Sequence, residues 1–442
     1  MKNKYLIILS SIFVTIVVLL TAVIGILYLS NNNPNSFVFF KKILPNNLKD
    51  LVKEKVCKYE YYVPEFKNER IFPQTQFLQL KFREVPVDNL DPTFAYYVNR
   101  KDGFIQEKKI KDVSVKSSFY IETDAEKTLL ISIKGKVLLY KTSDFFKNEK
   151  KIKSFSIETN LPKDLYVDDT LIYKNKIYLS TRTNQKACDN RTIYSAELNY
   201  KKLKFENFFS QGSKGECFSG YFGGRMAVAN NFGETSILLS NRYIGSKKQF
   251  SFLKNYKKEN ELAIISVNIK SKKVTPISAG HRNPQGLLVN SENVILSTEH
   301  GPRGGDEINK IIFQKNYGWP EVSYGEKYGL SFTKKPSYKK NHYKNGFEEP
   351  IYSFVPSIGI SEIIKLPNTF SKHFQNNFIL SSLNGHNLYR VKFDELFERV
   401  IYLEKIFIGE RVRDLKFHDK LNLIILAFEE NGEIGIISND FE

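Results

Sequence analysis

Arg411 and Arg413 flank Val412 in the run GERVRDLKF. Residues two apart on an extended strand project to one face, so both guanidinium forks are aimed the same way. Such forks suit carboxylates, whether those of an anionic ligand or those of a neighbouring Asp or Glu. Arg282 stands beside a proline-stiffened turn in GHRNPQG and is a further candidate to meet an anion. Between these two places lies GPRGGDE, residues 301–307, a loop held by Gly and Pro that ends in Asp306 and Glu307. Calcium takes oxygen ligands, backbone carbonyls included, in loops of this kind, although an Asp-Glu pair also occurs as a water-solvated turn. Other chemistries lack their residues: there is no P-loop, GxGxxG turn, ordered Ser/His/Asp set, EF-hand spacing or zinc-type Cys/His spacing.

These side chains need rigid elements beneath them, and the apolar pattern supplies short strands. Runs at 128–140, 170–181, 236–239, 263–269, 294–298, 378–382 and 423–428 are separated by turn residues. KIYLST, VILSTEHG and FILSSLNG share one form, an apolar strand ending in hydroxyl residues. Residues 115–440 hold about six such units of roughly 50–55 residues, which implies an all-β, six-bladed propeller. In that arrangement we expect the second strand of each blade to face the central axis. The 442 residues are 41% hydrophobic and 26% charged, which excludes a disordered or collagen-like chain. The net charge of +18 is spread along the chain. Its densest stretch, KKPSYKKNHYK at 334–344, reads as a solvated loop, and no nucleic-acid partner is expected.

Residues 5–29 contain no charged side chain, and as a helix they extend about 37 Å, enough to cross a bilayer. Lys2 and Lys4 precede this stretch, so the positive-inside rule keeps residues 1–4 in the cytoplasm. The expected layout is a transmembrane signal anchor at 5–29, a linker with a short helix and divergent strands at 30–110, whose strands are open to joining the propeller, and a propeller at 111–442. The propeller then lies in the periplasm or outside the cell. That compartment permits disulfides. Cys188 and Cys217 are candidates to pair, leaving Cys57, and three separate thiols are the other reading.

The motif from 280 to 320, GHRNPQGLLVNSENVILSTEHGPRGGDEINKIIFQKNYGWP, resembles the glucose/sorbosone dehydrogenase family. PSIGISEI at 356–363 and GERVRDLKF at 409–417 extend the resemblance over the C-terminal third. It implies a six-bladed propeller that binds pyrroloquinoline quinone (PQQ) and calcium and oxidises sugars. By that resemblance Arg282 and Asn283 face the quinone, and Arg411 and Arg413 reach its carboxylates. The carbonyls of Gly301 and Pro302 hold a calcium beside the cofactor, while Glu307 and the Tyr317 carbonyl hold a structural calcium.

The chain departs from the family at the cofactor side. SGYFGGRMAV puts Tyr221 where the family has its catalytic histidine, the base that takes the sugar hydroxyl proton. Asn384 in SLNG stands in place of a PQQ-contacting lysine, Phe354 in place of a tryptophan, and Ser132–Lys134 (SIK) in place of TER. His386 is a candidate substitute for the missing base or cation. Two functions follow as expectations. One is a membrane-anchored PQQ- and calcium-dependent dehydrogenase oxidising an aldose or similar hydroxyl and passing electrons to a respiratory acceptor. The other is a non-catalytic propeller that keeps the calcium site and binds a glycan or a protein partner.

Overall fold

A computed structural model describes residues 81–86, 97–101, 104–108, 119–147, 151–185, 188–211, 223–230, 234–242, 262–327, 338–429 and 433–438. Two compact units divide the chain, and the larger, Tyr62–Glu326 with Tyr338–Glu442, carries the strands. The segment expected to span a membrane, the short helix after it, Tyr221, Cys57 and Cys217 lie outside the described residues, as does the side chain of Cys188. Among the described residues no helix is long and apolar enough to cross a membrane.

Six sheets of four or five strands follow one another along the chain, each built mainly from successive antiparallel strands. Their first strands are Phe119–Asp124, Leu165–Tyr173, Met226–Ala229, Pro284–Val289, Ile360–Lys365 and Val412–His418. Each first strand packs against that of the next sheet, and the sixth returns to the first, so the six close into a ring. This is the six-bladed propeller that the spacing of the apolar runs implies. The axis, however, is lined by the first strand of each blade and not by the second. The first strands carry Glu122, Asp169, Glu362 and Asp414, so they do not read as apolar runs. KIYLST, VILSTE and FILSS are second strands, buried on both faces between neighbouring blades.

That double burial gives the fold its core. Alternate residues of a second strand point to opposite sides. Ile295 therefore packs towards the preceding blade with Leu238 and Ile264, while Leu296 packs towards the next with Ile360 and Leu380. The same division recurs at Leu129 and Leu130, Ile177 and Tyr178, and Ile424 and Ile425. Each of the six blade interfaces thus has its own apolar cluster, in which a buried Leu or Ile contributes about 1.5–3 kcal/mol. Closure is non-local. Lys81–Pro86 pairs with Glu433–Ser438 as the outermost strand of the sixth blade, so part of the 30–110 stretch completes the propeller.

Candidate cofactor site

The loops that precede and connect the inner strands bring the sequence motifs together at one mouth of the ring. Gly223, two residues after Tyr221, donates its N–H to Asn283 Oδ1 (3.2 Å). The same oxygen accepts from Gln285 Nε2 (2.9 Å), and Gln285 Oε1 accepts from Arg413 Nη1 (3.0 Å). Arg413 Nε and Nη2 both donate to Glu429 Oε1, with Nε at 2.6 Å. Arg411 donates to Glu429 Oε2 through Nε and Nη2, both at 3.1 Å, and through Nη1 to the Leu383 carbonyl (3.0 Å). Asn384 follows in an exposed turn whose N–H donates to Ile358 O (2.9 Å). One hydrogen-bonded chain therefore joins Asn283, Arg413, Arg411 and the turn of Asn384. The two guanidiniums are aimed together, as alternation along the strand requires, and the carboxylate between them is Glu429.

Glu429 is 3% exposed and each arginine 18% exposed. A carboxylate this deep between two forks is a charge-assisted, bidentate arrangement that holds both guanidiniums in place. The triad keeps one net positive charge at the mouth. Nothing in the local sequence marks Glu429, because it reaches the arginines only through the pairing of Val412–His418 with Leu423–Phe428. His386 stands at the same side, its Nδ1 donating to Gly409 O (3.1 Å).

Arg282, Gly301, Glu307 and Tyr317 meet around a small neighbouring pocket, with Glu299, His300, Trp319 and His342 in its wall. Arg282 donates to the His300 carbonyl (2.7 Å), and its guanidinium lies 5.3 Å from the Trp319 ring centre. Asn283 Nδ2 reaches His300 Nδ1 (3.4 Å), linking the pocket to the arginine chain. The other ring nitrogen of His300 is buried without a partner, and burial pushes its pKa down, so the ring is a neutral acceptor.

Asp306 and Glu307 are both buried, which rules out a solvated turn. Asp306 Oδ1 accepts from Gly301 N (3.0 Å), and Oδ2 accepts from Ile358, Gly359 and Ile360 N at 2.7–3.1 Å. It thereby ties the Gly-Pro loop to the PSIG loop. A Cβ at Gly301 would run into the Gly305 carbonyl, so only glycine lets this loop close on itself. Glu307 faces Glu299, and Asn309 Nδ2 donates to Glu299 (2.9 Å) and to Glu307 (3.4 Å). Burial and the facing Glu299 carboxylate push Glu307 well above the usual range, so the pair shares a proton. His342 Nε2 lies 3.6 Å from Glu307, and His281 stacks on Tyr317 at 4.5 Å. Among the described residues no set of three or more His, Cys, Asp or Glu side chains is placed to hold a metal. A cation here would rely on backbone carbonyls with Glu307, and the buried, unpartnered Asn309 Oδ1 suits that donor set.

The ring axis beside the site carries a second group of charges. Arg225 donates through Nη1 to Asp169 (3.0 Å) and lies 3.0 Å from Glu362 Oε2, and its Nη2 donates to the Arg413 carbonyl (3.3 Å). Asp414 accepts from Ile121 N (2.8 Å), and Lys416 pairs with Glu122 (3.1 Å). Burial raises Glu362 to about 8 and Glu122 to about 7, against the pull of Arg225 and Lys416 respectively.

Fold and site together define a six-bladed propeller with an arginine-lined mouth. Residues 266–436 match the family profile described as Glucose / Sorbosone dehydrogenase. It is 34% identical over 172 residues to the aldose sugar dehydrogenase YliI of Escherichia coli, covering 36% of this chain and 43% of that protein. It is 30% identical over 158 residues to the uncharacterized protein slr1608 of Synechocystis, covering 36% of this chain and 37% of that one. The chain thus spans less than half the length of the curated relatives it matches. Among solved structures, the soluble aldose sugar dehydrogenase of Escherichia coli in its apo form aligns over 82% of this chain and 100% of its own, with TM-score 0.59 and 18% identity. The PQQ-bound aldose sugar dehydrogenase of Streptomyces coelicolor aligns over 82% and 98%, with TM-score 0.50 and 12% identity. At these identities the structural likeness is one of fold.

Proposed function

We propose that this protein is a PQQ- and calcium-dependent dehydrogenase of an aldose or similar hydroxyl substrate. The observation that carries the reading is the hydrogen-bonded chain from Asn283 through Gln285, Arg413 and Glu429 to Arg411. It presents two fixed guanidinium edges beside a pocket that Arg282 and a neutral His300 line. Arg411 and Arg413 would hold carboxylates, Arg282 and Asn283 the quinone end, and Gly301, Pro302, Glu307 and Tyr317 the calcium. PQQ when bound supplies a quinone that accepts hydride from the substrate's carbinol carbon. By the sequence resemblance Tyr221 would take the hydroxyl proton, and a phenol at an ordinary pKa is only about 0.1% ionised at pH 7. Residues 5–29 would anchor the protein in the membrane with the propeller outside the cytoplasm, close to a respiratory electron acceptor.

A second reading, a propeller that binds a glycan or protein without turnover, has its own support. Glu429 already satisfies both arginines, and Asn384 brings no cation to the mouth. One experiment separates the two. The chain has a single tryptophan, Trp319, in the wall of the pocket, so its fluorescence reports PQQ entry. Quenching by PQQ with calcium, followed by dye reduction with a panel of aldoses, supports the enzyme. Absence of any PQQ binding removes it and leaves the binding propeller.

A further inference from the structure

The loop 323–326 turns four oxygens onto one point. Lys340 Nζ donates to the carbonyls of Ser323 (3.0 Å), Tyr324 (3.3 Å) and Gly325 (2.6 Å) and lies 2.8 Å from Glu326 Oε1. Three successive carbonyls and a carboxylate around one centre are the ligand set of an oxygen-bound cation. An ammonium is a compact point charge with three donors, and it meets that set without a metal. We propose that Lys340 is a tethered cation: its ammonium occupies an oxygen cage that would otherwise take a calcium-sized ion, and it positions the loop that carries Gly301 and Pro302.

The positioning is direct. Arg303 and Glu326 exchange two backbone hydrogen bonds, at 3.1 and 2.7 Å, so the cage loop is zipped to the Gly-Pro-Arg-Gly-Gly loop. Gly325 sits so close to the Gly304 carbonyl and the Pro302 ring that a Cβ there would collide with both. Lys340 is itself held, since its carbonyl accepts from Asn345 Nδ2 (2.9 Å) and neighbouring Lys339 pairs through its backbone with Glu321 and Ser323. At 17% and 21% exposure, Lys340 and Glu326 are shielded enough for this pairing to resist salt. The wall of the pocket is therefore set before any ligand arrives, and Lys340 acts on it through the Glu326–Arg303 bridge. The cage uses none of the oxygens of Glu307 and Tyr317, and the inference does not depend on PQQ.

The test is ion stoichiometry and thermal unfolding of the full-length protein in EDTA, calcium and magnesium at constant ionic strength. Lys340→Ala empties the cage, so this variant should bind one calcium per chain more than the wild type. Its unfolding midpoint should fall by about 5 °C in EDTA and recover in calcium but not in magnesium, which demands a smaller octahedral site. Lys340→Met fills the cage with a thioether and should show the fall without the recovery. Adding Glu326→Gln to Lys340→Ala should abolish the extra ion. If Lys340→Ala folds only in calcium, the proposal holds in its strongest form. It is overturned if Lys340→Ala binds no additional ion, if the extra ion persists without Glu326, or if Lys340→Ala fails to fold in calcium as well.

Discussion

Side-chain chemistry at the mouth turns on two positions, Tyr221 and Asn384. On the proposed dehydrogenase reading the base is Tyr221, a phenol almost entirely protonated at neutral pH, so turnover should rise steeply on the alkaline side. Tyr221→His should raise activity near pH 7, by about two to three orders of magnitude if the cofactor is seated, read as dye reduction against pH. Asn384→Lys acts elsewhere. Its turn follows the Leu383 carbonyl that Arg411 holds, so a new ammonium there adds charge beside the two guanidiniums without touching proton transfer. About tenfold tighter PQQ binding, read by Trp319 quenching, is expected, with kcat unchanged. Calcium binding by both variants with no activity in either, even when combined, would exclude the dehydrogenase reading.

Among the elements, the two loops flanking the pocket stand or fall with Asp306. Its carboxylate accepts four backbone N–H groups, from Gly301, Ile358, Gly359 and Ile360. Asp306→Ala leaves those donors without an acceptor at a buried place, a loss of about 3 kcal/mol in urea unfolding. Asp306→Asn keeps one acceptor oxygen and should fall between. Equal stability of all three proteins would show that the loops are held by something else. GPRGGDE is visible in the sequence as a Gly/Pro loop with acids, yet the sequence leaves open whether Asp306 faces water or the loop's own backbone. Burial decides it.

At the scale of the whole ring, two features test the architecture. Glu362 and Glu122 hold protons more tightly folded than unfolded, with folded values of about 8 and about 7 against an ordinary 4.5. Their stabilisation is fully present below the unfolded value and is lost as pH rises through the folded one. Wild-type stability should therefore decline between about pH 5 and pH 8, and Glu362→Gln, neutral throughout, should flatten that slope. An unchanged slope in the variant would mean that Arg225, Asp169, Asp414 and Lys416 hold the axis without a stored proton. The second feature is closure. Deleting residues 81–86 from the full chain removes the outer ladder on Glu433–Ser438, the pairing that ties an early strand into the last blade. The unfolding midpoint should drop and the transition broaden, and an intact midpoint would show that the blade does not need its fourth strand.

By itself the sequence determines the repeat, because doubly buried second strands are apolar at successive positions, with hydroxyls only towards their ends, and so recur as legible runs such as FILSS and LIILAF. It also determines the candidate ligand groups, since motifs such as HRNPQG and RVRD hold arginines at spacings that aim them together. Tertiary structure alone decides which strand lines the axis, because those strands carry buried charges that a reading by apolar runs passes over. It alone supplies Glu429 to Arg411 and Arg413, Arg225 to Glu362, and the strand Lys81–Pro86 to the sixth blade. The first needs the register of one hairpin and the other two join residues far apart in the chain, and neither kind of contact leaves a local pattern to read.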